Sequence, residues 1–97
     1  MPPVDFLPGA RCDFDESFDW YAERSAQAAA RFAFTVDAAL SAIAHNPKRF
    51  AAIDERHREC PMGRFPFRVV YRIEADGIIV MAIAHVKRRP GYWRDRK

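Results

Sequence analysis

The sequence lacks the features that would place the chain in a membrane or in a disulfide-rich secreted class. Its longest apolar run, Ile78 to Ala84, has the length of a strand, whereas a transmembrane helix needs roughly 18 to 20 such residues. The N-terminal MPPVDF has neither the basic nor the apolar segment of a signal peptide. Cys12 and Cys60 are isolated thiols and not a disulfide framework. We therefore expect a cytoplasmic protein that does not contact membranes.

Motifs of common enzymes and metal sites are also scarce. The sequence has no glycine-rich phosphate loop and no nucleophile motif. His57 and Cys60 have a ligand-like spacing, but two ligands are too few for zinc. Four acids near the start of a predicted helix are better explained by the helix dipole and by solubility than by a metal: Asp13, Asp15, Glu16 and Asp19. Neither a metal nor another cofactor is predicted.

The charges that are present are distributed unevenly along the chain. Residues 1–45 contain three arginines and seven acids, whereas residues 46–97 contain thirteen basic residues and six acids. A basic half of this kind suits an anionic partner, although a charge excess can also serve solubility alone. Because the basic residues gather at the end of a strand and in the C-terminal tail, binding is at least as good an explanation.

Phe65 to His85 is the stretch around which we expect the chain to fold, because it predicts two strands joined by a tight turn. In the first strand an apolar face alternates with a mainly charged one: Phe67, Val69, Tyr71 and Ile73 against Arg68, Val70, Arg72 and Glu74. Ala75-Asp76-Gly77 supplies the turn, where glycine tolerates a positive φ. Ile78 to Ala84 is apolar on both faces, as in a strand inside a sheet.

Two helices are predicted before this ribbon. Ala10 to Arg24 has an apolar stripe at Phe14, Phe18 and Tyr21. Ser25 is a good N-cap for a second, alanine-rich helix that ends at Asn46-Pro47. The buried stripe of the second helix is predicted to be Phe32, Val36, Leu40 or Ala39, and Ile43. Because almost no linker separates the helices, they should lie antiparallel.

Shorter segments complete the predicted order of elements. Val4 to Leu7 indicates a first strand stopped by Pro8-Gly9. Phe50 and Ile53 are expected to pack under the second helix, and Arg56 to Cys60 to form a short strand. The tail after His85, VKRRPGYWRDRK, has Tyr92 and Trp93 as its only apolar anchors. We expect the charged face of the ribbon and this tail to be free to meet something negatively charged.

Four segments, in this order, carry a resemblance to a known family. They are FLPGARCDFDESFDWYAERS near the start, NP after the second helix, RFPFRVVYRIEADGIIVMAIAH in the ribbon, and HVKRRPGYWRDR at the end, with the pattern H-x-x-R-x-P-x-x-W. The set resembles the ParE/RelE superfamily of toxins from bacterial type II toxin–antitoxin systems, and its ParE-like branch most closely. The resemblance covers the chain from about Phe6 to Arg96.

The resemblance implies an α+β fold for residues 1–97 as a single toxin domain. In this fold an N-terminal strand and an antiparallel helix hairpin pack on a small curved, mainly antiparallel sheet. It also implies a cognate ParD-like antitoxin, in a heterotetramer or a larger complex. ParE-like members poison DNA gyrase, whereas RelE-like members cut messenger RNA in the ribosome. Gyrase inhibition without enzymatic activity is our first hypothesis; a ribosome-dependent endoribonuclease and a non-toxic relative that only binds antitoxin are the alternatives.

Site residues follow from these hypotheses. Target binding is predicted for the tail residues Lys87, Arg88, Arg89, Tyr92, Trp93, Arg94 and Arg96. Antitoxin binding is predicted for Trp20, Phe34, Arg64, Arg68 and Arg72, although a solvated face or hairpin packing explains several of these equally well. A metal-independent nuclease would use Arg64, His85, Arg88, Arg89 and Tyr92. For His85, hydrogen bonding to a turn or packing on an aromatic ring is the favoured interpretation, and the ending with Pro90 and Trp93 favours the ParE-like branch.

Overall fold

The computed structural model describes residues 2–97 as two helices packed with a five-stranded mixed sheet. The elements are β1 (Val4–Phe6), α1 (Pro8–Arg24), α2 (Ala26–His45), β2 (Ala51–Ala52), β3 (His57–Pro61), β4 (Phe67–Glu74) and β5 (Gly77–His85). The strand order is β1-β5-β4-β3-β2, in which β1 runs parallel to β5 and the other pairs are antiparallel. The predicted α+β class is thus confirmed. Neither described helix combines the length and the apolar character needed to cross a bilayer.

The helix hairpin begins earlier than the sequence pattern suggested. Pro8 and Gly9 were expected to stop the first strand and leave the helix to start at Ala10, but α1 already begins at Pro8. Proline suits the first helical position because its missing N–H would have no helical partner there. Ser25 caps α2 as predicted, and its side-chain oxygen accepts a hydrogen bond from the backbone N–H of Ala28 at 3.1 Å. The C-cap is Asn46, as the following proline indicated.

The main core lies between the helices and one face of the sheet. The predicted stripe of α2 is confirmed, since Phe32, Val36 and Ile43 are almost completely buried. Phe32 is the centre of an aromatic cluster in which its ring centroid lies 5.6 Å from that of Phe14 and 5.3 Å from that of Tyr21. The apolar face of β4 contributes Val69 and Tyr71. Ile73 was expected on the same buried face, but it is more than a third exposed near the end of the strand.

The turn between β4 and β5 has a different chemistry from the one expected. Glu74 pairs with Gly77 across a two-residue turn, and neither Gly77 nor any described non-glycine residue has a positive φ. Glycine is needed there for close approach: a Cβ at position 77 would lie 2.8 Å from the carbonyl oxygen of Pro3. That carbonyl accepts a hydrogen bond from the backbone N–H of Ile78 at 2.9 Å. Gly77 therefore admits the chain that leads into β1.

A β-bulge in β5 gives the sheet a second buried face. Val70 pairs with Ala82 and Tyr71 with Val80, which leaves Met81 as an extra residue. Met81 and Ala82 are both buried and cluster with Val70 and Trp93 on the side opposite the helices. This second face was expected to be wet. The tail covers part of it, which explains why β5 is apolar on both sides.

The segment between α2 and β4 also departs from expectation. The third strand begins at His57 and not at Arg56, and it extends to Pro61. A two-residue strand, β2, precedes it and is too short to give a sequence signal. Phe50 packs against the main core as predicted. Ile53 does not, because it is 37% exposed and lies beside the tail.

Replacing Gly77 by alanine should destabilise the fold by about 1–2 kcal/mol, since the new methyl group must displace the backbone entering β1. The free energy of unfolding in urea measures this cost. Asp76→Ala, an exposed change in the same turn, is the control and should cost less than about 0.5 kcal/mol. A Gly77→Ala variant as stable as the unmodified chain would contradict the close approach.

Candidate functional site

The C-terminal tail, residues 86–97, folds back over the second face of the sheet and is not a free arm. It contains turns but no helix or strand, and Gly91 adopts a positive φ of 75° within them. The backbone N–H of Val86 donates to the carbonyl oxygen of Pro66 at 2.9 Å. Trp93 is only 4% exposed and fills the cluster of Val70, Met81 and Ala82. The expectation of a free tail is therefore wrong, because its aromatic anchors have apolar surface to cover.

Asp13 of α1 is the main polar anchor of the tail. Its side chain is buried, and both carboxylate oxygens accept hydrogen bonds from Arg96, with Nη1–Oδ2 and Nη2–Oδ1 distances of 2.7 and 3.1 Å. The hydroxyl of Tyr92 donates to Oδ2 at 3.1 Å. A guanidinium nitrogen of Arg88 lies 3.7 Å from Oδ1. A single carboxylate thus binds three side chains of the tail.

The same carboxylate completes the edge of β5 where β1 ends. Up to Val80 this edge is paired with the chain around β1, and the backbone N–H of Leu7 donates to the carbonyl oxygen of Val80 at 3.0 Å. Beyond it, the carbonyl oxygen of Met81 accepts from Arg96 and the backbone N–H of Ile83 donates to Asp13, both at 3.1 Å. The Asp13–Arg96 pair therefore satisfies backbone groups that a longer β1 would have paired.

The explanation of Asp13 by helix dipole and solubility is wrong. Because α1 begins at Pro8, its first turn contains no acid, and Asp13 lies in the second turn. Its spacing of three residues from Ala10, which is fully buried, turns it toward the sheet. Asp15 has the exposed position that was expected of the whole group, where it pairs with Arg11 at 3.6 Å.

The ionisation of the tail groups reflects this burial. Burial, and then the charge of Asp13 and the hydrogen bond to it, raise the pKa of Tyr92 to about 12. The hydrogen bond to Asp13 raises the pKa of Arg96 above its ordinary value. Both side chains therefore keep their donor protons throughout the neutral range.

A second anchor holds the opposite side of the tail. Asp54, between β2 and β3, accepts a charge-assisted hydrogen bond from Arg94 and contacts Nδ1 of His57 at 2.9 Å. The His57 ring lies against Trp93, with centroids 4.7 Å apart. Burial opposes ionisation of Asp54, but hydrogen bonds from Arg94, the backbone N–H of Arg56 and His57 outweigh it and hold the pKa of Asp54 below its ordinary value. Within residues 2–97, no three potential metal ligands of the His, Cys, Asp or Glu type come together.

Between these anchors lies a cleft of about 290 Å³ that we term the cationic cleft. Its lining combines basic and apolar side chains: Arg68, Arg88, Arg89, Arg94 and His85 with Val70, Ala84 and Trp93. Glu59 is the one carboxylate among the described lining residues. Arg68 was predicted to bind the antitoxin, and the other three arginines were predicted to bind the target. All four nevertheless line the same cleft. The cleft offers several guanidinium groups to an anion beside an apolar surface.

Of the five residues proposed for a nuclease, His85, Arg88, Arg89 and Tyr92 line the cationic cleft, whereas Arg64 does not. His85 lies at the rim of the cleft, where its Nδ1 accepts a hydrogen bond from the backbone N–H of Lys87 at 3.0 Å. Its ring packs edge-to-face on Phe67, with centroids 4.9 Å apart. The Tyr92 hydroxyl is bound to Asp13, and the Arg88 guanidinium lies 3.7 Å above the Tyr92 ring. Arg64 lines a separate depression beside Arg31 of α2.

The residues proposed for antitoxin binding lie on several surfaces. Trp20, 52% exposed, lines a groove of about 470 Å³ between α1 and the ribbon, together with Tyr21, Phe67, His85 and Arg88. The Arg24 guanidinium covers the Trp20 ring at 3.7 Å. Phe34 is 74% exposed on α2. Arg72 lies on the second face of the sheet, where it pairs with Glu74 and donates to the sulfur of Met81.

Comparisons with known proteins show a family for the chain and a similar fold in a solved structure. A family model described as the ParE toxin of the type II toxin–antitoxin system, parDE, matches residues 4–90. The toxin RelE1 of Caulobacter vibrioides is 31% identical over 78 residues, which cover 78% of this chain and 84% of that protein. A chain in the solved structure titled chromosomal ParDE TA system from P. aeruginosa has a similar fold, with a TM-score of 0.75 at 17% identity. That match covers 88% of this chain and 96% of the other.

Removing the indole of Trp93 should show that the tail is part of the folded core. Trp93→Ala is expected to lower the free energy of unfolding by about 3–5 kcal/mol, since it leaves a cavity in the second cluster. Urea unfolding followed by circular dichroism measures the loss. Trp20→Ala removes the same group from a half-exposed site and should cost less than about 1 kcal/mol. Equal, small losses in both variants would mean that the tail is not docked.

Proposed function

Because the chain belongs to the ParE toxin family of type II toxin–antitoxin systems, we propose that it inhibits DNA gyrase bound to DNA through its cationic cleft. As the toxin of such a system it has an antitoxin partner. The proposal concerns the target and the surface that meets it. Gyrase on DNA presents a dense array of phosphates, and phosphate contacts by arginine and lysine supply most of the affinity of sequence-independent nucleic-acid binding.

The observation that carries the proposal is the convergence of four arginines in the cleft. Arg68, Arg88 and Arg94 each have a carboxylate partner, yet their side chains are 45–50% exposed and can turn toward a ligand. Arg89 and Lys87 are exposed, and neither has an ion-pair partner within residues 2–97. We therefore assign the direct contacts with phosphates to Arg88, Arg89 and Arg94 of the cleft, and to the exposed Lys87 that precedes them in the tail. Trp93, Tyr92 and Arg96 contribute by holding the tail.

A non-enzymatic mechanism fits the state of the polar groups in the cleft. Metal-free RNA cleavage needs a base for the 2′-hydroxyl, an acid for the leaving oxygen and cations for the developing charge. The Tyr92 hydroxyl already donates to Asp13, and its pKa of about 12 disfavours release of its proton. Nδ1 of His85 is occupied by the backbone of Lys87. These contacts support inhibition by binding.

A RelE-like endoribonuclease is the second candidate function. It is favoured by the similarity to the toxin RelE1 of Caulobacter vibrioides and by the position of His85 at the rim of the cleft. Histidine titrates in the range that acid–base catalysis requires. Expression without antitoxin separates the candidates, because gyrase poisoning gives DNA breaks and lost supercoiling, whereas the nuclease gives cleaved transcripts and translation arrest. Growth that continues unchanged would indicate a non-toxic relative.

Antitoxin binding is proposed for surfaces around the cleft, and for Arg68 within it. Trp20 and Phe34 offer exposed aromatic rings on α1 and α2, and Arg64 offers a positive charge beside α2. Arg68 and Arg72 lie on one face of β4. An antitoxin segment that crosses these surfaces would have to combine apolar side chains with carboxylates.

Arg89→Ala should weaken inhibition of gyrase supercoiling by about three- to tenfold, since it removes one phosphate contact without an internal ion pair to disturb. The concentration of purified protein that halves supercoiling of relaxed plasmid measures the effect. Arg31→Ala, an equal loss of charge at an exposed site on α2, should leave inhibition unchanged. Equal losses in both variants would indicate an effect of net charge alone.

The nuclease alternative makes a different prediction. His85→Gln should abolish transcript cleavage on isolated ribosomes if His85 transfers a proton, and it should leave supercoiling inhibition within about twofold if the ring only packs on Phe67. Primer extension on a translated message detects the cuts. Cleavage by the unmodified chain that disappears in the variant would replace gyrase by the ribosome as the target.

A further inference from the structure

We infer that Asp13 is a positioning residue for phosphate binding, acting through the tail that it holds across the cationic cleft. This inference rests on the proposed function of the cleft, and it assigns a role to a helix residue that does not line it. The family match ends at residue 90, before two of the three tail side chains that Asp13 holds, Tyr92 and Arg96. The link between α1 and the cleft consists of the contacts that Asp13 makes with the tail.

The tail has little regular secondary structure of its own. Apart from the bond between Val86 and Pro66, its backbone–backbone hydrogen bonds join residues only three positions apart. Its position over the sheet is therefore set by side chains: Trp93 in the second cluster, Arg94 on Asp54, and the group bound to Asp13. Asp13 is the one of these anchors that lies on a helix.

Arg88 is a cleft arginine that also contacts Asp13. Its guanidinium lies 3.7 Å above the Tyr92 ring, and one of its nitrogens lies 3.7 Å from Oδ1 of Asp13. The Tyr92 ring is held by its hydroxyl, which also donates to Asp13. Asp13 thus positions the Arg88 guanidinium in two ways, by the direct contact with Oδ1 and by the hydrogen bond that holds the Tyr92 ring. The side chain nevertheless remains 50% exposed toward solvent.

Replacing Asp13 by asparagine exchanges one acceptor oxygen of the carboxylate for an NH₂ donor. An amide can offer one oxygen to the backbone N–H of Ile83, but its NH₂ group would face the Arg96 guanidinium and cannot accept from it. One of the two hydrogen bonds to Arg96, from Nη2 to Oδ1, and the charge near Arg88 would be lost, whereas the amide oxygen could still accept from Nη1 of Arg96. The tail would then sample several positions, and ordering its arginines on a phosphate backbone would cost conformational entropy.

The sign of the effect separates positioning from simple charge. Asp13→Asn makes the protein more positive, so electrostatics alone would tighten its binding to a polyanion. Positioning predicts the opposite, namely binding that is about tenfold weaker, with fewer phosphates engaged at once. Each lost phosphate contact lowers the slope of log affinity against log salt by about 0.9 for duplex DNA.

The experiment measures binding of the purified full chain to a fluorescein-labelled duplex of about 20 base pairs, by anisotropy, between about 50 and 200 mM salt. Asp15→Asn is the matched control, because it makes the same charge change on an exposed carboxylate of the same helix. We expect Asp15→Asn to bind at least as tightly as the unmodified chain, with an unchanged salt slope. Asp13→Asn should bind about tenfold more weakly, with a slope reduced by about one.

A second variant keeps the test independent of folding, since Asp13 also binds the edge of β5. Tyr92→Phe removes one donor to Asp13, changes no charge and keeps the ring beneath Arg88. It should bind DNA about two- to threefold more weakly, with a salt slope shifted in the same direction as that of Asp13→Asn. Thermal unfolding shows which variants are folded, because a lowered folded fraction by itself raises the apparent Kd by the inverse of that fraction without removing a phosphate contact.

The outcomes distinguish the inference from the proposed function. Unchanged or tighter binding by folded Asp13→Asn, or an unchanged slope in Tyr92→Phe, would overturn the role of Asp13 and leave the cleft intact. No detectable binding by the unmodified chain would overturn the cleft itself as a polyanion site, and with it the role of Asp13. Weaker binding with a lower slope in the variants, beside an unaffected Asp15→Asn, would establish the role.

Discussion

The buried carboxylate of Asp13 is the interaction on which the arrangement of the molecule depends. It connects three parts of the chain that are distant in sequence: α1, the edge of β5, and the tail through Tyr92 and Arg96. Taking a carboxylate out of water is costly, and removing one partner of such a buried pair typically costs about 3–5 kcal/mol. Here both oxygens are satisfied by charge-assisted and neutral donors, so burial is tolerated. These hydrogen bonds to Asp13 hold the tail against the sheet, which the hydrogen bonds within its turns cannot do.

This carboxylate is needed because the sheet is covered unequally on its two faces. The helices shield one face with a large aromatic core, but the bulge at Met81 turns further apolar side chains of β5 to the other side. Within residues 2–97 no further helix is present to cover them. The tail does so with Trp93, and the short β1 leaves backbone groups of β5 that Asp13 and Arg96 satisfy. Fold and tail therefore depend on each other.

Sequence periodicity predicted the elements well, because helices and strands are governed by local spacing. The stripe from Phe32 to Ile43, the cap at Ser25 and the alternation from Phe67 to Tyr71 all appear in the structure. The role of Gly77 was misjudged, since its constraint comes from Pro3, which lies far away in sequence. The bulge was equally invisible, because a run of apolar residues does not reveal which of them is unpaired.

The site was less predictable than the fold, because its residues come together from parts of the chain that are distant in sequence. The tail and β4 were proposed as binding surfaces from their charge, but no local pattern brings Arg68 to the tail arginines or Asp54 to Arg94. Asp13 did leave one usable signal, a carboxylate three residues after the alanine that begins the apolar stripe. Such a position lies at the margin of the buried face, where a charge needs a partner. The arginine-rich tail provides that partner in Arg96.

The internal ion pairs of the tail do not make its arginines equivalent. Arg96 is 21% exposed and pairs with a carboxylate that is 5% exposed, so releasing it would leave a buried charge without its partner. Arg94 and Arg88 are about half exposed, at 48% and 50%. The pair between Arg94 and Asp54, whose side chains are 48% and 29% exposed, is of the kind that is worth only about 0–1 kcal/mol because water screens it. A phosphate can therefore replace the partner of Arg94, or share Arg88 with Asp13, at little cost, whereas Arg96 keeps the tail in the position where those two face the cleft.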